Sequence, residues 1–134
     1  LIRTHLRAMP GCRKTKNLAR LLHWAYARDR STLGICHFPA ALIASDNAKP
    51  FIYDSYEIAA FPDPVDKQTP IIGYMPGHMP WKFGEKLGAF GVTIVNTKAD
   101  ASCHVDRRLI SRASRKAAND FGGLAAEALL HAVR

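Results

Sequence analysis

A chain of 134 residues, 48% of them hydrophobic, has material for one domain with a modest core. No apolar run approaches the roughly 18 residues needed to span a bilayer, and three cysteines without close spacing argue against a disulfide framework and for a reducing, cytoplasmic setting. The formal charge of +8 favours contact with acidic surfaces or nucleic acid, but no nucleic-acid motif accompanies it, so solvated basic faces are the simpler expectation and no nucleic-acid partner is expected.

The first residues, Leu1-Ile2-Arg3-Thr4-His5, carry neither an initiator Met nor a signal-peptide core and read as the interior of a longer chain. Up to residue 30 the basic side chains Arg3, Arg7, Arg13, Lys14, Lys16, Arg20, Arg28 and Arg30 stand against Asp29 alone. Within this run Leu18, Leu21, Leu22 and Ala25 follow helical spacing, which predicts a helix over about 16–29 with Arg20, His23 and Arg28 available for its outer face. Residues 32–35 read as a strand, residues 39–47 as a short helix and residues 56–61 as a second strand. Pro62-Asp63-Pro64-Val65-Asp66-Lys67 is expected to be a loop, because each proline removes a ladder donor and restricts the residue before it. Residues 80–90 predict a helix with Trp81, Phe83, Leu87 and Phe90 toward the core and Gly91 as its C-terminal cap. Residues 92–95 then read as a buried strand and 103–110 as a short extended piece. Residues 113–133 read as a final helix with Ala117, Leu124, Ala128 and Val133 inward. Strands alternating with helices predict an α/β chain with a parallel sheet.

Cys36-His37 falls where the strand 32–35 gives way to the helix that starts at Pro39. A sharp strand-to-helix break exposes the side chain at the break, and a helix start offers positive partial charge. Thiols in such places are favoured as the reactive thiolate, and an adjacent imidazole exchanges a proton with them. The competing reading is a buried structural cysteine. A thiolate–imidazole pair works better when a third group orients the ring. The acidic candidates are Asp63 and Asp66, since loops at the carboxyl ends of adjacent strands in an open α/β sheet meet at one crevice. From the residues alone, either carboxylate is equally a turn-stabilising group.

Three segments carry a family resemblance. They are Gly34-Ile35-Cys36-His37-Phe38-Pro39-Ala40-Ala41, Ala60-Phe61-Pro62-Asp63-Pro64-Val65-Asp66-Lys67-Gln68-Thr69-Pro70, and Gly73-Tyr74-Met75-Pro76-Gly77-His78-Met79-Pro80-Trp81. Together they resemble the ThiJ/PfpI superfamily, related to class I glutamine amidotransferases, and within it the bacterial heat-inducible branch known as protein deglycase, glyoxalase III and holding chaperone. The likeness runs from about Leu18 to the C-terminus, so that 1–134 is a single partial domain with 1–15 divergent and 16–134 family-like. The resemblance implies a flavodoxin-like three-layer α/β sandwich with a mostly parallel sheet, truncated at its N-terminus. It implies Cys36 as nucleophile, His37 as general acid/base and Asp66 as the residue that orients the imidazole. It implies no organic cofactor, a small aldehyde such as methylglyoxal or a glycated protein as substrate, unfolded protein as a holding partner, and a homodimer.

The departures from the family are as informative. Its Gly-Gly-His-Gly loop, whose amides help form the oxyanion site, is matched here by Arg3-Thr4-His5-Leu6, and the two lost glycines forbid that close backbone approach. Arg3 is the first candidate to replace the lost donors. Phe38 stands where the family usually has Gly and is expected to crowd the substrate or shift the helix start. The family's earlier strands, which carry a carboxylate for the thiol and the metal-binding residues, have no counterpart, so no metal ligands are assigned here. Ser111-Arg112-Ala113-Ser114-Arg115 is less punctuated by glycine and proline than in the family. The expected function is therefore a cysteine-dependent glyoxalase III or protein deglycase impaired in this chain; the alternative is a catalytically impaired fragment or chaperone-like binding module. Cys103-His104 repeats the dipeptide without a helix start beside it, and Cys12, Cys36, Cys103 and the histidines have no metal-ligand spacing. His78 is expected to stabilise its turn, and His23 and His131 to be ordinary helix residues.

Overall fold

The computed structural model describes residues 9–12, 14–68, 71, 81–114, 116 and 118–131. A short α1 (Met9–Cys12) precedes α2 (Lys16–Ala27), which buries Ala19 and Leu22 and packs Leu18 against the core. Leu21, expected inward from its spacing, is 48% exposed beside Trp24. The chain then enters β1 (Thr32–Ile35), followed by α3 (Pro39–Leu42), which tightens directly into a 3-10 turn, Ile43–Ala48. Near the other end, β4 (Cys103–Asp106) and β5 (Leu109–Arg112) form a hairpin. The sheet order is β1-β5-β4, with β1 parallel to β5 and β4 antiparallel to it. The sheet is therefore mixed, and the extended piece expected over 103–110 is two strands turned at Arg107, which adopts φ +52°.

Alternation along the strands divides the core into two sides. Leu109 packs with Leu22, Phe38, Ala40 and Leu42 on the α2 and α3 side. Ile110, with Leu33 and Ile35 beside it, packs against Phe121, Leu124, Ala125 and Ala128 of α6 (Ala118–His131) on the other. Helices thus cover both faces of the sheet, the three-layer α/β arrangement that the family resemblance implies. Leu124 and Ala128 face inward as expected; Ala117 and Val133 lie outside the described residues.

A second, two-stranded parallel ladder joins β2 (Glu57–Ile58) to β3 (Thr93–Ile94). Both are shorter than predicted. Beyond β2, the Asn96 side chain takes over the ladder, accepting from Ala60 N–H at 2.9 Å and donating to Ala60 O at 2.8 Å. Val92 is buried but Val95 is 44% exposed, so the expected buried strand is half-buried. The expected loop over 62–67 contains a full helical turn, α4 (Asp63–Asp66). Pro64 falls in its first turn, where the missing N–H has no intrahelical partner to lose. The last helix before β3, α5 (Phe83–Ala89), buries Phe83 and Leu87 and ends at Gly91, whose φ of +86° is the left-handed cap glycine adopts readily. Among the described residues no helix is long and apolar enough to cross a membrane.

Candidate active site

The parallel strand β1 delivers Cys36 to the carboxyl end of the sheet, where its N–H donates to Arg112 O at 2.8 Å and its carbonyl accepts from Phe61 N–H at 3.0 Å. Cys36 sits at φ +61°, a left-handed conformation that costs a non-glycine residue about 1–3 kcal/mol. The hydrogen bonds on either side of it, together with Phe38 N–H to Ile35 O at 3.0 Å, hold the chain in this elbow. Phe38 does not crowd the cleft as expected from its place beside the Cys-His pair. It is fully buried in the core, its ring over Gly34, in space that a side chain at position 34 would fill.

His37 follows the elbow and is buried, 4% exposed. Its Nδ1 lies 3.3 Å from Cys36 Sγ, and its Nε2 donates to Asp66 Oδ1 at 2.7 Å. Phe61 stacks on the imidazole at 4.6 Å between centroids, and Phe83 meets it edge-on at 5.8 Å. Burial works against the charged ring, but hydrogen bonds to Asp66 and Cys36, with the negative charge of each, outweigh it and push the imidazole up to about 9. Both ring nitrogens face groups that accept a proton, so the doubly protonated ring satisfies both at once.

The α4 turn distinguishes the two acidic candidates. It turns Asp66 inward, 7% exposed, onto His37. Asp63, one turn earlier, accepts from Gly84 N–H at 3.2 Å and Glu85 N–H at 3.0 Å and so closes the start of α5. Elsewhere, burial raises the Cys12 thiol, and burial raises Cys103 in spite of nearby Arg112. His104 lies in β4, 3.4 Å from Glu57, away from any elbow. His23 Nε2 donates to Ser45 O at 2.9 Å, and His131 ends α6. Arg3, Thr4, His5 and the segment 73–78 with His78 lie outside the described residues. No group of three or more His, Cys, Asp or Glu suited to a metal ion occurs among the described residues.

Sequence reasoning missed Phe61 and Phe83 as the walls of the imidazole, although Phe61 immediately precedes the Pro-Asp-Pro signal. It also missed Arg112, 2% exposed, whose Nε makes no hydrogen bond among the described residues and whose guanidinium lies 5.6 Å from the Phe121 ring. Nothing local marks Arg112, because its burial depends on the hairpin. A thiol, an imidazole and a carboxylate in this sequence can generate a nucleophilic sulfur and move a proton at its side.

No protein-family model matches the chain. It is 44% identical over 128 residues to the protein/nucleic acid deglycase HchA of Escherichia coli O7:K1 (strain IAI39 / ExPEC), covering 93% of this chain and 44% of that protein. The same identity and coverage hold for protein/nucleic acid deglycase 1 of Escherichia coli (strain K12). The chain thus spans less than half the length of the curated relatives it matches. Among solved structures, the Rapid Encystment Protein 24 kDa of Francisella tularensis superposes with a TM-score of 0.75 at 22% identity, over 91% of this chain and 53% of that one. Glyoxalase III from Candida albicans superposes with a TM-score of 0.67 at 16% identity, over 90% of this chain and 52% of that one. At these identities the structural likeness speaks to the fold, which is flavodoxin-like α/β.

Proposed function

We propose that this chain, which belongs over the stretch it spans to the HchA deglycase branch of the ThiJ/PfpI superfamily, carries cysteine-dependent chemistry on reactive carbonyls. The observation that carries the reading is the relay from Cys36 Sγ to His37 Nδ1, 3.3 Å, and from His37 Nε2 to Asp66 Oδ1, 2.7 Å. The substrate is a small aldehyde with an adjacent carbonyl, such as methylglyoxal, free or released from a glycated amine or thiol. The Cys36 thiolate adds to the aldehyde carbon, the C=O pair moves to oxygen, and His37 Nδ1–H supplies the proton that completes a hemithioacetal. Neutral His37 then carries the proton on that carbon to the adjacent one, while the hydroxyl hydrogen shifts between the two oxygens. The aldehyde carbon is oxidised and its neighbour reduced, giving a 2-hydroxy thioester with no external oxidant. Water cleaves the C–S bond, releasing a 2-hydroxy acid and the free thiol. Asp66 fixes the ring and balances its charge through this cycle. Three free thiols suit a reducing cytoplasm.

Turnover is expected to be slow, because the glycine loop is replaced at Arg3-Thr4 and preorganised oxyanion donors contribute roughly 3–4 kcal/mol, about 100- to 1000-fold in rate. The test is methylglyoxal consumption and intact-mass analysis of the chain and of Cys36→Ala. An adduct mapped to Cys36 and absent from the variant supports the reading; consumption unchanged in Cys36→Ala sinks it.

A holding role is the second reading, favoured by Leu21 and Trp24, each 48% exposed one turn apart on α2. Suppression of client aggregation that is lost in Leu21→Ser/Trp24→Ser and kept in Cys36→Ala supports it.

A further inference from the structure

Thr32 and Leu109, paired at the amino ends of β1 and β5, line a cavity of about 330 Å³. Ligand pockets begin at about this size, roughly 300 Å³, which suits one small molecule. Cys36 follows the other end of β1, so the cavity and the thiol are about 13 Å apart at about 3.3 Å per strand residue.

The cavity's charge is lopsided, with Arg30, Arg107 and Arg108 lining it against Asp29. Arg108 spends Nε and Nη2 on Asp29. Arg107 spends Nε and Nη2 on Asp106 and Ser55 O, and lies over the Tyr56 ring at 3.5 Å. Among the described residues, Nη1 of both arginines has no hydrogen bond, and the Arg30 side chain has none. Unused guanidinium donors from three residues therefore border one cavity, which is the donor set that phosphate oxygens accept from. The tyrosines add no competing charge. Burial raises Tyr53 to about 12 and raises Tyr56 as well, so both stay neutral hydroxyls. Tyr26, also on the lining, is 50% exposed and offers a ring face on which a flat group can stack.

From this cavity we infer a second ligand site, separate from Cys36, for a small phosphate monoester that carries a flat ring, of the nucleoside monophosphate class. The phosphate docks on Arg30 and the free Nη1 groups of Arg107 and Arg108, and the base stacks on Tyr26. The site does not depend on the carbonyl chemistry and stands or falls without it.

The experiment is calorimetric titration of the whole chain with AMP, adenosine and inorganic phosphate. Saturable AMP binding is expected, with adenosine and phosphate each weaker by about tenfold or more. Arg30→Ala weakens AMP by about tenfold, the loss expected for one charged hydrogen bond. Arg30 is exposed and has no side-chain partner among the described residues, so circular dichroism of the variant should match the parent; Tyr26→Ala gives a second reading of the stacking half. Cys36→Ala leaves AMP binding unchanged. The inference is overturned by an absence of saturation with AMP, by phosphate binding as tightly as AMP, by Arg30→Ala and Tyr26→Ala both without effect, or by loss of AMP binding in Cys36→Ala.

Discussion

Asp66 Oδ1 lies 2.7 Å from His37 Nε2, whereas Asp63, on the same turn, accepts two backbone N–H groups of α5. Asp66→Asn removes the negative charge beside the ring, so adduct formation at Cys36 is expected to slow by about 100-fold, the lower range for lost acid–base assistance. Asp63→Ala should instead cost about 1 kcal/mol of stability, as a lost helix cap does, with adduct formation unchanged. Rates by intact mass and stability by urea unfolding separate the two, and equal slowing in both variants would refute the division of labour. His37 makes a further claim testable. Its folded pKa, about 9, stands above the ordinary 6.5, so its protonation stabilises the fold fully below about 6.5 and that contribution is lost as pH rises through 9. Urea unfolding at pH 7 and pH 10 should show the parent losing its advantage over His37→Gln; a gap that does not change with pH contradicts the raised pKa. Arg112 carries a buried Nε with no hydrogen-bond partner among the described residues. Arg112→Met keeps the stem and removes the donor, and should raise the melting temperature, since an unsatisfied buried group costs about 1–3 kcal/mol.

At the scale of elements, what the sequence discloses is what is decided locally. The β1 elbow is readable because the strand-like run, Cys36-His37 and Pro39 are contiguous. Residues 62–67 are misread as a loop because Pro is scored as a breaker, although it is tolerated in a first helical turn, where α4 places Pro64. The β4–β5 hairpin escapes notice because its turn, Arg107-Arg108, has no glycine or asparagine. Arg107, at φ +52°, binds its neighbour Asp106 but also reaches Ser55 O and the Tyr56 ring, which are tertiary partners. Asp66 was distinguished from Asp63 by resemblance alone, since a contact across 29 residues of chain leaves no local trace. Phe38 shows the same limit: its neighbours suggested a cleft, and the buried core over Gly34 received it. That packing makes Gly34 a requirement, because a Cβ there overlaps the Phe38 ring. Gly34→Ala is expected to destabilise by about 1–3 kcal/mol, the usual range for overpacking. Adding Phe38→Leu should recover part of that loss in a double-mutant cycle. Additive losses would show that the two positions do not compete for one space.

Across the whole molecule the described sheet has β1 at one rim. Thr32 N–H and Cys36 N–H both point into β5, donating to Arg108 O at 2.7 Å and Arg112 O at 2.8 Å. In a parallel ladder alternate residues face opposite ways, so the N–H groups of Leu33 and Ile35 point out from the rim. A row of donors without a strand partner among the described residues is a template for another strand, and this one ends one residue before the thiol. Strand addition at this rim would tie assembly to access of the thiol. Hydrogen exchange at low concentration should find the Leu33 and Ile35 amides exchanging well before those of Thr32 and Cys36. As concentration rises, strand addition between copies should protect Leu33 and Ile35 and slow alkylation of Cys36, with the chain eluting earlier in size-exclusion chromatography. Protection of Leu33 and Ile35 that is already complete in dilute solution, and indifferent to concentration, would mean that the rim is covered within the chain. The thiol would then be shielded or open by the fold alone, and the proposed coupling to assembly would fail.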